Sequence, residues 1–166
     1  MRKSIGMIVT LIAVAALGIA AFAQAASAED ASAQATYRDI EQTLGSVPSF
    51  FKQLPEAGIA GAWAEFKSIQ LNPNTKLNGK TKELIGLAVA AQVPCTYCIY
   101  AHTAFAKLNG ATDEEVREAV AMGAIIRHWS TIINGTQVDL ATFKQEIDEV
   151  VKHAASNAKT AAGKSQ

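Results

Sequence analysis

The chain has 166 residues, 49% of them apolar, and fifteen basic side chains balance fifteen acidic ones. That length and composition fit one globular domain with extensions. The neutral balance, with no Lys/Arg cluster able to track phosphates, speaks against a nucleic-acid partner.

Residues 1–28 read as a secretory signal. Arg2 and Lys3 form a positive n-region, Ile5 to Phe22 is an apolar run, and Ala26-Ser27-Ala28 offers small residues ahead of Glu29-Asp30. Cleavage is expected after Ala28, leaving thirteen basic against fifteen acidic side chains. An uncleaved anchor is the competing reading, since the run is nearly long enough to span a bilayer. Its Ala and Gly richness and the small-residue exit favour removal, with export to the periplasm.

Residues 29–35 are small and polar, as in a flexible N-terminus. Tyr37 to Leu44 predicts a short helix closed by Gly45, and Val47-Pro48-Ser49-Phe50-Phe51 a further turn with proline at a first helical position. Pro55 opens the next helix, whose stripe is Ile59, Ala62, Trp63, Phe66 and Ile69, before Asn72-Pro73-Asn74 stops it. Asn78 to Val93 predicts a helix burying Leu84, Leu87, Ala88 and Ala91. Pro94, at a first helical position, then starts a helix that runs to Lys107 and ends at Asn109-Gly110.

Thr112 to Glu115 matches a capping box for a long helix carrying Val116, Val120, Ile126, Trp129 and Ile133, which Asn134-Gly135 ends. Leu140, Phe143, Ile147, Val150 and Val151 mark the last helix, and residues 155–166 read as a disordered tail. No segment alternates with period two, so the expected fold is all-α, a compact bundle of six to seven short helices over residues 36–154.

Cys95 and Cys98 are the two cysteines of the chain. In the first turns of a helix they share one face, and His102, four residues after Cys98, falls on it too. A thiol at a helix N-terminus beside an imidazole is stabilised as thiolate, the reactive form. A structural disulfide is the plain alternative in an exported protein. Closing so short a loop removes little chain entropy, which favours a redox dithiol.

Cys95, Cys98 and His102 offer three zinc ligands, but a second pair is missing, and His128 or His153 would have to complete the site. Covalent haem needs histidine directly after the second cysteine, where Ile99 stands, so no metal or cofactor is expected. Glu83, near the start of its helix, is explained by the helix dipole alone. His128 is expected on the surface and Trp129 in the core, while Tyr97 and Tyr100 are packing residues or hydroxyl donors near the sulfurs.

Glu83, eleven residues, Cys95-x-x-Cys98, three residues and His102 together resemble the active-site pattern of the alkylhydroperoxidase D branch of the carboxymuconolactone decarboxylase superfamily. Lys82-Glu83-Leu84-Ile85, Ala106-Lys107, Gly110-Ala111-Thr112 and Glu114-Glu115 are similar to its helical core, and the likeness spans Tyr37 to Ile133. The resemblance implies an all-helical subunit forming trimers or hexamers, and a thiol-dependent hydroperoxide reductase. It implies that Cys98 attacks the peroxide, Cys95 resolves the sulfenic acid, and His102 with Glu83 relays the proton.

The partners implied are a hydroperoxide and a dithiol or thiol-protein electron donor, which for the cytosolic peroxidases of the family is lipoylated. Those peroxidases carry histidine directly before the second cysteine, where this chain has Tyr97. That difference points to slower or absent peroxidase turnover, and because a lipoylated donor is not expected outside the inner membrane, thiol–disulfide exchange with another exported protein is an alternative, as is a non-catalytic helical oligomer with a structural disulfide or metal-binding CxxC. Lactone decarboxylation is disfavoured, because that branch does not rely on a cysteine pair.

Overall fold

A computed structural model describes residues 30–163, with side chains to residue 158; the expected leader over 1–28 lies outside the described residues. The chain divides after Asn78 into two units. All regular structure among the described residues is helical, as the periodicity predicts.

The first unit holds α1 (30–44), a 3-10 turn (Ser49–Gln53) and α2 (Glu56–Ile69). Its core is Ala33, Ile40, Phe51, Ile59 and Trp63, with Tyr37, Val47 and Phe66 packed against it. Phe51 meets Trp63 edge-on at 5.5 Å between centroids, and Trp63 stacks on Phe66 at 5.7 Å. The Trp63 indole N–H donates to Asp39 Oδ2 at 2.6 Å, and Lys67 pairs with the same carboxylate at 2.8 Å. Gly45 ends α1 at φ +81°, a conformation that favours glycine, and its N–H bonds Glu41 O at 2.8 Å.

Residues 30–35 are not a flexible lead-in. They are the first turns of α1, in which Ala33 is fully buried and Ile40 lies two turns on along the same face. Small residues look loop-like by composition, yet alanine has the highest helix propensity. The prolines also sit earlier than expected. Pro48 and Pro55 are N-caps whose carbonyls accept the first helical bonds, from Phe51 and Gly58.

The second unit contains α3 (Gly79–Gln92), α4 (Thr96–Leu108), α5 (Asp113–Gly135) and α6 (Leu140–Gly163). α3 packs against both α4 and α5, and its buried positions are Glu83, Leu87 and Ala90. α5 approaches α3 closely at Gly123, where an added Cβ would lie 3.1 Å from the Ala88 carbonyl oxygen. The capping box at Thr112 and Glu115 forms as predicted, and Lys80 bridges α3 to Glu115 at 2.7 Å.

Trp129, expected in the core, is 56% exposed, with its ring against His128. Ile126 and Ile132 of α5 are exposed as well, as are Leu140, Ile147, Val150 and Val151 of α6. α6 continues through the expected tail to Gly163, consistent with the high helix propensity of its alanines and lysines. These stripes follow the predicted period, and among the described residues they stay exposed. Among the described residues no helix is long and apolar enough to cross a membrane.

Candidate functional site

The site forms where α3 meets the start of α4. α3 ends in a turn at Val93 and Pro94, and the Cys95 N–H reaches back to the Ala90 carbonyl at 3.1 Å. Pro94 therefore precedes the cap instead of opening the helix. Cys95 is the N-cap residue, with extended φ and ψ, and its carbonyl accepts from Ile99 N–H at 2.9 Å. Its sulfur takes the place of a capping oxygen, accepting the Cys98 N–H at 3.2 Å.

Cys95 and Cys98 are joined as a disulfide, with Cα atoms 5.3 Å apart. Both residues are half-buried, while Tyr97 and Tyr100 between and beyond them are 89% and 78% exposed. Among the described residues the tyrosine rings therefore pack on nothing extensive.

His102 lies one turn beyond Cys98 on α4 and turns toward α3. Its Nδ1 is 2.7 Å from Oε2 of Glu83, whose side chain is only 6% exposed. A carboxylate oxygen accepts, so Nδ1 carries the hydrogen and Nε2 is left as the nitrogen able to take a proton. Glu83 is thus more than a dipole partner for its own helix. It is a buried acceptor that fixes the tautomer and orientation of His102.

The ring also needs space. A Cβ added at Gly86, one turn after Glu83 on α3, would lie 2.5 Å from His102 Cε1 and 2.6 Å from Nδ1. The imidazole occupies the position that any other side chain at 86 would claim. Sequence reading passed over Gly86; the available signal was a glycine inside an otherwise continuous apolar helix, which costs helix stability and so calls for a packing reason.

The structure brings Glu83, Cys95, Cys98 and His102 to one junction. His128 and His153 do not join them: His128 contacts Trp129 on α5, and His153 contacts Asn157 on α6. Among the described residues no group of three or more His, Cys, Asp or Glu is placed to hold a metal ion.

Fold and site together define an all-helical protein of alkylhydroperoxidase-like architecture, with a cysteine pair capping one helix and a Glu–His pair beside it. The sequence model described as the carboxymuconolactone decarboxylase family matches residues 57–138. "Uncharacterized protein 4 in cox locus" of Paracoccus denitrificans is 34% identical over 86 residues, which are 49% of this chain and 78% of that protein. A crystal structure of the alkylhydroperoxidase AhpD core from Rhodospirillum rubrum superposes with a TM-score of 0.58 at 26% identity, over 66% of this chain and 82% of that one. The chain belongs to the carboxymuconolactone decarboxylase family. The matched stretch includes α3, α4 and α5 with the whole site, and excludes α1 and α6.

Proposed function

We propose that the protein is an exported, homo-oligomeric thiol oxidoreductase that reduces hydroperoxides through a dithiol–disulfide cycle. The observation that carries this reading is the Cys95–Cys98 bridge at the start of α4, one turn from an imidazole held by a buried carboxylate. Fold likeness to an alkylhydroperoxidase core supports the same class.

In the oxidising half of the cycle the Cys98 thiolate attacks the distal peroxide oxygen and the O–O bond breaks. Cys98 becomes a sulfenic acid, and the departing alkoxide takes a proton relayed by His102. The Cys95 thiolate then attacks the Cys98 sulfur, forming the disulfide and releasing hydroxide, which is protonated to water. Two electrons pass from the dithiol to the peroxide. A dithiol or thiol-protein donor returns them.

Export rests on Arg2, Lys3, the apolar run and the Ala26-Ser27-Ala28 exit. Assembly rests on the exposed apolar stripes of α5 and α6, surplus surface that subunit pairing would remove from water. Thiol–disulfide exchange with another exported protein is the second reading. It is favoured by the export leader, since a lipoylated donor is not expected outside the inner membrane, and by Tyr97, which stands where the peroxidases carry a histidine.

The test is peroxide consumption by the mature protein with a panel of dithiol donors, lipoamide included. Turnover with wild type and its loss in Cys98→Ser support the peroxidase reading. Disulfide transfer to a thiol substrate without peroxide turnover selects the second.

A further inference from the structure

The geometry points to a fixed direction for the reductive half-reaction: the electron donor attacks Cys98, and Cys95 departs as the thiolate. This rests on reading the pair as a cycling dithiol. Thiol–disulfide exchange has two possible outcomes at any disulfide, and the sulfur that better bears negative charge leaves faster. The two sulfurs here are placed unequally.

Cys95 is the N-cap of α4, and its Sγ already accepts the Cys98 N–H at 3.2 Å. The first-turn N–H groups of a helix lack intrahelical partners, and the helix dipole places partial positive charge around them. Charge arriving on Cys95 Sγ as the S–S bond breaks therefore meets a donor that is already aimed at it. Cys98, three residues further on, lies inside the helix, and among the described residues its sulfur accepts no comparable backbone N–H. Its neighbour is His102, one turn away, which suits proton transfer better than fixed stabilisation of a departing charge.

The steps balance. A donor thiolate forms an S–S bond to Cys98 Sγ as the Cys95–Cys98 bond breaks, and the bonding pair leaves on Cys95. The second donor thiolate then attacks the first donor sulfur in the mixed disulfide, closes the donor disulfide and expels Cys98, which takes a proton through His102. The donor loses two electrons and its two thiol protons; the protein gains the two electrons and, on Cys98, one proton, and the other proton goes to solvent. Cys95 is thus the leaving thiolate in reduction and the attacking thiolate when the sulfenic acid is resolved, and Cys98 is the sulfur attacked in both directions.

Two measurements test this on the full mature chain. Thiolate absorbance against pH is read in Cys98→Ser, which keeps the backbone N–H at 98, and in Cys95→Ser. Cys95 should titrate at least one pH unit below Cys98, so that at pH 6 its thiolate fraction is about tenfold larger. Equal or reversed titration overturns the assignment. Independently of whether those variants fold, oxidised wild type is treated with limiting glutathione, acid-quenched within milliseconds and mapped by mass. The glutathione adduct is expected on Cys98 in at least nine-tenths of the trapped species, and an adduct on Cys95 overturns the assignment. A bridge that no thiol opens overturns this assignment together with the cycle it rests on. A Cys98 adduct in a protein that consumes no peroxide sustains the assignment and overturns only the peroxidase reading.

Discussion

The two units of the chain solve different problems with similar helices. In the first, the buried face is almost wholly apolar: Ile40, Phe51, Ile59 and Trp63 close on one another, and the carboxylate of Asp39 is left at the edge, 41% exposed. In the second, the most buried face of α3 carries a carboxylate, Glu83, one and two turns before Leu87 and Ala90 on the same face. One unit buries aromatic area and keeps charge outside; the other spends a buried position on an acid that bonds a histidine. A charge desolvated in this way is weak evidence for stability and is better explained by what it orients.

The contrast is tested most strongly by Trp63→Ala. Trp63 is 3% exposed and contacts Phe51, Phe66 and Asp39, so its loss removes a large buried side chain and leaves a cavity. Truncations of this kind cost about 3–5 kcal/mol. Chemical denaturation should show that loss, while the rate at which thiols open the Cys95–Cys98 bridge in the folded protein stays at the wild-type value. An equal fall in thiol reactivity would show that the site depends on the first unit.

Glu83→Gln probes the other side of the comparison. Glutamine keeps the shape and can still accept the Nδ1–H of His102, but it lacks the negative charge of the carboxylate. General acid–base assistance contributes roughly 100- to 10,000-fold in enzymes, and a histidine deprived of its partner's charge should lose part of that, about 10- to 100-fold. Peroxide consumption should fall by that factor with little change in denaturation midpoint. A large fall in stability with unchanged activity would make Glu83 a structural residue.

Much of this could be read from the chain alone, and the parts that could not share a cause. Local signals held: the capping box at Thr112, the stop at Gly45, the stripe of Ile59 and Trp63, and Cys98 one turn before His102 on α4. What failed depends on neighbours distant in sequence. Trp129 has the right spacing for a buried stripe but among the described residues nothing covers it, and Ala33 is core only because Ile40 and α2 enclose the same face. The family pattern pointed to Glu83, yet its burial is a property of the α3–α4 contact. Gly86 matters only because an imidazole sixteen residues later comes to rest on it.

That contact supplies a smaller and more selective test. Valine at 86 suits a helix better than glycine, so Gly86→Val should leave α3 intact by circular dichroism. Its Cβ alone would overlap the ring position, so His102 must swing away from Glu83. Peroxide turnover should drop about tenfold, toward the level of Glu83→Gln, and combining the two substitutions should add little because they break the same contact. Additive losses would mean that Gly86 acts on something other than the Glu83–His102 pair.

The smallest expected effect returns to the edge of the first unit. Lys67 holds the Asp39 carboxyl below its ordinary range, followed in weight by the Trp63 indole N–H. A carboxyl whose folded pKa is lowered adds stability that is fully present above its unfolded value, near 3.8. That contribution is lost as the pH falls through the lower folded value. The group is solvent-exposed and screened, so the change is small, and Trp63 itself can report it. In a Trp129→Phe background, Trp63 emission should hold steady from pH 7 to about pH 4 and shift only below that, as Asp39 takes up its proton. Asp39→Asn should abolish the acid step while leaving the reactivity of the Cys95–Cys98 bridge unchanged. An acid step that survives in Asp39→Asn would assign the transition to another carboxyl and remove Asp39 from the account of how the first unit keeps its charge at the rim.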